Sequence, residues 1–366
     1  MDMPVAFGQR KGRGAASNAS GRFETEKRVA FDDGWGSAGE EPAPLTTTLS
    51  VDTTRTIIAR NDSPDIGFDR SINPYRGCEH GCIYCYARPS HAYLGLSPGL
   101  DFESRLFYKP QAAKLLAAEL RKKGYVCRPI ALGSNTDPYQ PVERKLGITR
   151  AILEVLHDFR HPVTIVTKSA LIQRDLDILG EMARDRLAMA AISVTTLDRR
   201  LARVMEPRAA TPERRLEAIA ALSAAGVPVG VMSAPMIPAL NDSEMEQILE
   251  TARAAGASSA AYTLLRLPLE LKALFKEWLE EHFPAKATHV LSLVAQTHGG
   301  RLTIQPGSRE KPAPALMPTS CGCASSAPAA GSALTSARRK GSTPAASCRR
   351  RRRAISLRCF RRVLPV

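Results

Sequence analysis

From about residue 56 onward, short runs of β-branched and small apolar residues alternate with longer stretches in which apolar side chains recur every three or four positions. The runs at 129–134 (PIALGS), 163–167 (VTIVT), 188–196 (AMAAISVTT), 227–233 (VPVGVMS) and 258–265 predict strands. Between them the period predicts helices near 109–123, 149–160, 170–184, 211–225 and 242–255, as Leu115, Leu116, Ala118 and Leu120 illustrate. Thr211-Pro212-Glu213 supplies a cap, a first-turn proline and an acidic residue, and Asn241-Asp242-Ser243-Glu244 repeats that logic. Gly124, Gly226 and Gly256 each follow a helical stretch, where a residue free to take positive φ ends the helix. A further strand at 69–76 brings the count to six βα units between about 56 and 283. This is an α/β chain with a mainly parallel sheet, whose C-terminal strand tips are the place to look for chemistry.

The flanks differ in texture. Residues 1–55 are rich in Gly, Ala, Ser, Thr and charge with no sustained apolar period, and read as a flexible N-terminal segment. Residues 56–301 are the folded core, and 302–366 read as a disordered basic tail containing Arg349–Arg353. Leu302–Gly307 can be encoded by bases that, read from the third position, give Tyr-Asp-Ser-Ala-Trp, so a frameshift near Arg301 is the leading account of that tail.

Charge follows the same division. The chain has 51 Lys and Arg against 36 Asp and Glu, a net +15. Thirteen basic residues and one acidic lie from Gly307 onward, so 12 of those charges sit in the tail and the body is close to neutral. Overall basicity is therefore no argument that the folded part binds nucleic acid. No run of about 18 apolar residues suggests a membrane span and no secretory pattern opens the chain, so a cytoplasmic location is expected.

Of eight cysteines, Cys78, Cys82 and Cys85 lie within eight positions in the order CxxxCxxC. Cys127 stands alone before a predicted strand and reads as a buried thiol, while Cys321, Cys323, Cys348 and Cys359 are scattered through the tail. Three neighbouring thiolates can grip one soft metal centre. Zinc asks for a fourth protein ligand, for which His80 or His91 would serve, whereas a [4Fe-4S] cluster held by three cysteines leaves its fourth iron open to a small molecule.

The loop GCIYCYA, with an aromatic directly before its third cysteine, resembles that of the radical S-adenosylmethionine (SAM) superfamily. SNTD at 134–137, VTK at 166–168, Ile192-Ser193-Val194, MEP at 205–207 and the turn into Ala234-Pro235 extend the likeness over about residues 65–285. Within that superfamily the chain looks like bacterial proteins related to spore photoproduct lyase, a DNA repair enzyme. The resemblance implies a partial (βα)6 TIM-type barrel with flexible extensions, a [4Fe-4S] cluster on Cys78, Cys82 and Cys85, and SAM on the open iron. It further implies reductive cleavage of SAM to a 5′-deoxyadenosyl radical, an electron donor such as a flavodoxin or ferredoxin, and a nucleic-acid or other large substrate.

Residue by residue, the resemblance places Tyr84 beside the adenine and Ser134, Asn135, Thr136 and Asp137 by the amino group of SAM. Lys168 falls near its carboxylate and Ser193 near the ribose. Tyr84 and Tyr86 match two tyrosines that take part in hydrogen transfer in the lyase. One departure is chemical: the lyase has a hydrogen-returning cysteine where this chain has Ser134, and a hydroxyl hydrogen is held too tightly to replace a thiol hydrogen. Two other readings compete, a zinc-stabilised nucleic-acid-binding module and a barrel that is an inactive remnant.

Overall fold

The computed structural model describes residues 12–26, 45–62 and 67–298. The tail, its four cysteines and the frameshift expected near Arg301 lie outside the described residues. In chain order the strands are β1 (Thr48–Val51), β2 (Ala59–Arg60), β3 (Arg70–Ile72), β4 (Tyr75–Arg76), β5 (Arg105–Tyr108), β6 (Ile130–Leu132), β7 (Val163–Thr167), β8 (Ala188–Ser193), β9 (Val229–Met236) and β10 (Ser259–Leu264).

Six of them, β3, β6, β7, β8, β9 and β10, lie side by side and parallel, and β2 adds an antiparallel edge next to β3. Helices Ala112–Leu120, Ile148–Asp158, Leu176–Arg184, Pro212–Ala224, Met245–Ala254 and Leu271–His282 return the chain between and after these strands. One core joins them, with Leu116, Ile152, Leu179, Ile219 and Ile248 of the helices buried against Ile130, Ile165, Ile192 and Val231 of the sheet. Six parallel βα units are thus present, in a partial barrel whose first and last strands are not paired. Gly124, Gly226 and Gly256 all take positive φ after their helices, as their positions predict.

Several expectations need correction. The segment 69–76 is two strands in two sheets, because Asn73-Pro74 interrupts it and a proline has no N–H to continue the ladder. Its second half, β4, joins β5 and β1 in a separate three-stranded sheet. The stretch 170–184 begins as a 3-10 turn at Ala170–Asp175, opened by the Ser169 hydroxyl accepting the Leu171 N–H, before the α-helix starts. Asn241 does not cap its helix with its side chain. Its amide instead accepts the Ile237 N–H and donates to the carbonyls of Thr195 and Pro235.

The described parts of the expected flexible lead-in are also packed. Residues 48–51 pair along β5, and residues 13–18 lie against the cysteine loop. Cys127 precedes β6 as expected, but it is exposed rather than buried.

Candidate functional site

The chain leaves β4 and enters the cysteine loop through Gly77, at φ 77°, where a Cβ would come within 2.8 Å of the Phe102 carbonyl. Gly81 takes φ 66° between the first two cysteines, with Glu103 Oε2 2.7 Å from where a Cβ would stand. Two tight turns follow, Gly81 N–H to the Cys78 carbonyl (3.3 Å) and Cys85 N–H to the Cys82 carbonyl (3.2 Å). Cys78 and Cys82 are buried, Cys85 is half-buried, and none is in a disulfide.

Burial pushes the thiols of Cys78 and Cys82 up, opposed by the Asp137 backbone N–H at Cys78 and by Lys168 near Cys82. Thiols in apolar surroundings resist ionisation until a metal centre takes the proton's place. Three thiols on one loop, two of them buried and none in a disulfide, are the donor set that a [4Fe-4S] cluster with one open iron asks for.

Two clamps hold the loop from outside. Arg88 is fully buried, and it donates from Nε to the Cys82 carbonyl (2.9 Å) and from Nη2 to the Gly81 carbonyl (3.1 Å). Its Nη1 reaches the carbonyls of Pro98 (3.1 Å) and Gly99 (3.0 Å), and an ion pair to Glu103 neutralises it. Glu103 also accepts the N–H groups of Gly14 and Ala15, both at 2.9 Å, while Arg13 donates to the Glu103 carbonyl (2.7 Å). So close is this N-terminal strap that a Cβ on Gly14 would stand 1.8 Å from the Gly81 carbonyl oxygen.

The second clamp is the segment 205–208. Ile83 N–H donates to the Met205 carbonyl (3.0 Å), Tyr84 donates its phenol to Glu206, Arg208 N–H donates to the His80 carbonyl (3.3 Å), and Arg208 Nη2 pairs with Glu79 (3.1 Å).

Opposite the loop, at the tips of β6 and β7, Asp137 ties the elements together. Its Oδ1 accepts from the Thr167 hydroxyl (2.7 Å) and the Tyr139 N–H (2.8 Å), and its Oδ2 accepts from the Lys168 N–H (2.8 Å) and faces His80 Nδ1 at 3.4 Å. Burial would raise this carboxyl, but His80 and these donors outweigh it and hold it at about 2. The Thr136 hydroxyl is similarly spent on the Tyr75 carbonyl (3.0 Å). Asp137 and Thr136 therefore shape the loop.

Asn73 secures the other end of that loop, accepting the Asn135 N–H (2.9 Å) and the Thr136 N–H (3.3 Å) on Oδ1 and donating to the Ser134 hydroxyl (3.2 Å). The half-buried Lys168 places Nζ 5.6 Å from the centroid of the Tyr84 ring. Ser193, at the end of β8, is buried and donates to the Ala234 carbonyl (3.2 Å).

The two tyrosines of the loop stand in opposite surroundings. Tyr84 is buried with its hydroxyl turned into protein, whereas Tyr86 is 62% exposed and donates its hydroxyl to the Ser134 carbonyl. Cys78, Cys82 and Cys85 thus share one loop with Tyr84, which faces Lys168, and Tyr86 is joined to Ser134; among the described residues no three Cys, His, Asp or Glu side chains are arranged to hold a single metal ion.

Neither histidine proposed as a zinc ligand is directed to that role. His80 faces Asp137, and His91 bonds the Arg105 carbonyl through Nε2 (3.0 Å) while its ring packs edge-on to Phe102. The sequence reading missed Arg88, Glu103, Asn73 and Arg215. Glu206 was visible only as the middle of the MEP segment.

The Radical SAM superfamily model matches residues 72–252. An uncharacterized protein of Mycobacterium tuberculosis is 38% identical over 219 residues, 59% of this chain and 64% of that protein. The matched region thus spans a little under two thirds of that relative's length. An uncharacterized protein of Methanocaldococcus jannaschii is 27% identical over 213 residues, 58% of this chain and 76% of the other. Among solved structures, a spore photoproduct lyase mutant with bound AdoMet and dinucleoside spore photoproduct aligns at TM-score 0.47 and 16% identity, over 64% of this chain and 66% of that one. SuiB of Streptococcus suis bound to S-adenosylmethionine aligns at TM-score 0.42 and 13% identity, over 60% and 47%.

Proposed function

The chain belongs to the radical SAM superfamily, whose members bind a [4Fe-4S] cluster and SAM, and on that premise we propose an enzyme of the spore photoproduct lyase-like group acting on nucleic acid or another large substrate. When bound, the cluster and SAM supply a 5′-deoxyadenosyl radical able to take hydrogen from an unactivated C–H bond.

The chain's own residues bind, orient and exclude water. Cys78, Cys82 and Cys85 hold the cluster, in a loop made rigid by the Arg88–Glu103 clamp. Lys168, whose ammonium faces the Tyr84 ring, pairs with the SAM carboxylate as a compact cation. Ser134, Asn135 and the carbonyls of their loop accept hydrogen bonds from the SAM amino group, a loop that Asp137 and Thr136 keep in shape from behind. Ser193 borders the ribose from the end of β8.

Tyr86 is the phenol at the Ser134 position, so it is the group that carries a hydrogen where the lyase has a thiol. An external reductant is required, and a flavodoxin or ferredoxin is the proposed donor. Among the described residues no helix is long and apolar enough to cross a membrane.

The observation that supports this reading most is the disulfide-free trio Cys78, Cys82 and Cys85, two of them buried and one half-buried, inside the matched region. The test is anaerobic purification with iron and sulfide, counting of both, and detection of 5′-deoxyadenosine after adding SAM and a strong reductant. Iron, sulfide and 5′-deoxyadenosine are expected from the native chain, and Cys82→Ala should lose all three. Zinc as the sole metal would favour a binding module. A cluster without SAM cleavage would favour an inactive remnant.

A further inference from the structure

Tyr84 lies between two proposed cluster ligands, yet its hydroxyl hydrogen is committed inward to Glu206. That carboxylate is wholly buried, with the Thr195 hydroxyl on Oε1 (2.7 Å) and an ion pair to Arg215 on Oε2. Arg215, itself fully buried, donates from Nη1 to the Ser193 carbonyl (3.0 Å) and from Nε to the Ala210 carbonyl (2.7 Å). A continuous chain of bonds therefore runs from the cysteine loop through Tyr84, Glu206 and Arg215 to the tip of β8, where Ser193 stands. An ion pair removed from water is kept in one arrangement by its remaining hydrogen bonds, and every donor named here is satisfied.

We propose that Glu206 is a positioning residue which, through Tyr84 on one side and Arg215 on the other, fixes the cysteine loop at a set distance from the β8 tip. The methionine end of SAM, at the cluster, and its ribose, at the β8 tip, would then meet a preset gap. This rests on the function proposed above. It assigns Tyr84 to placement rather than hydrogen transfer, because its hydrogen points into a carboxylate held on the far side by Arg215, whereas that of Tyr86 points to the Ser134 carbonyl, at the position where the lyase has its thiol. The same geometry accounts for the Lys168 ammonium over the Tyr84 ring: a ring that cannot rotate offers that cation a fixed face.

The test compares native protein with Tyr84→Phe, Glu206→Gln and the double variant, all reconstituted without air. Tyr84→Phe removes only the link and leaves the Glu206–Arg215 pair whole, so it carries the test even where Glu206→Gln fails to fold. Iron and sulfide per chain should match the native protein. The KM for SAM should rise about tenfold, the worth of one hydrogen bond to a charged group, while kcat for 5′-deoxyadenosine formation changes far less. The change in the electron paramagnetic resonance signal of the reduced cluster on adding SAM should weaken in parallel.

Where Glu206→Gln folds, the double variant should be no worse than the poorer single one. Native KM and native spectrum in Tyr84→Phe would overturn the proposal. So would a fall in kcat alone, which would make Tyr84 a hydrogen carrier. A native protein that takes up no cluster overturns the proposed function and this inference with it.

Discussion

Replacing Arg88 by lysine isolates what the buried guanidinium does for the cysteine loop. The ammonium keeps the charge opposite Glu103, but it is a point donor where the guanidinium is a fork reaching four carbonyls, those of Gly81, Cys82, Pro98 and Gly99. With one of its three N–H donors kept on Glu103, it can bond at most two of the four, leaving two buried acceptors short of a partner. At about 1 kcal/mol net for each, Arg88→Lys should cost roughly 2 kcal/mol. For a domain of this size that is a fall in Tm of about 4–8 °C. The assay is thermal unfolding of the cluster-free protein, followed by iron and sulfide counting after anaerobic reconstitution. Because two of the four carbonyls belong to the cysteine loop, cluster uptake should fall with Tm. An unchanged Tm would refute the clamp. A lowered Tm with full cluster uptake would show that the clamp serves the barrel and not the loop.

Gly14→Val drives a side chain into the Gly81 carbonyl, so it should unseat the strap and shorten the lifetime of the cluster in air, followed by the loss of its visible absorbance. His161 is buried against Tyr125, with its own value lowered to about 4, chiefly by burial and also by Arg70. An unfolded chain takes up a proton near pH 6.5 that this folded histidine refuses. Its share of stability is therefore complete above about pH 6.5 and is lost, to about 3 kcal/mol, as pH falls toward 4. Urea midpoints across that window should decline in the native protein and decline less in His161→Gln. Replacing Cys321, Cys323, Cys348 and Cys359 together by serine should leave iron per chain unchanged, as metal analysis would report.

The βα series was legible because buried parallel strands are short apolar runs and their helices end at glycines, as at Gly124, Gly226 and Gly256. The CxxxCxxC loop was legible because ligand spacing is a local property of the chain. What stayed hidden is long-range. A segment rich in Gly, Ala and Ser such as 12–20 reads as flexible, since what holds it is its own backbone N–H groups donating to a carboxylate some 90 residues on, with nothing apolar to signal it. Arg88 and Arg215 look like surface residues, because burial of an arginine depends on a carboxylate that folding alone brings to it. Asp137 was expected at the cofactor, and what spacing alone could not show is that its oxygens also gather the Tyr139 and Lys168 N–H groups, the Thr167 hydroxyl and His80.

The hydroxyl of Ser17 donates to Glu277 at 2.6 Å, a tie across 260 positions to a helix that follows the last strand. During synthesis the strap leaves the ribosome early, yet its final anchor emerges only when the barrel is nearly complete. Long-range closures of this kind come late in folding. The bonds of residues 13–15 to Glu103 can form well before that, so the strap is expected to be pinned at one end first and closed at Ser17 only when the last helix has folded.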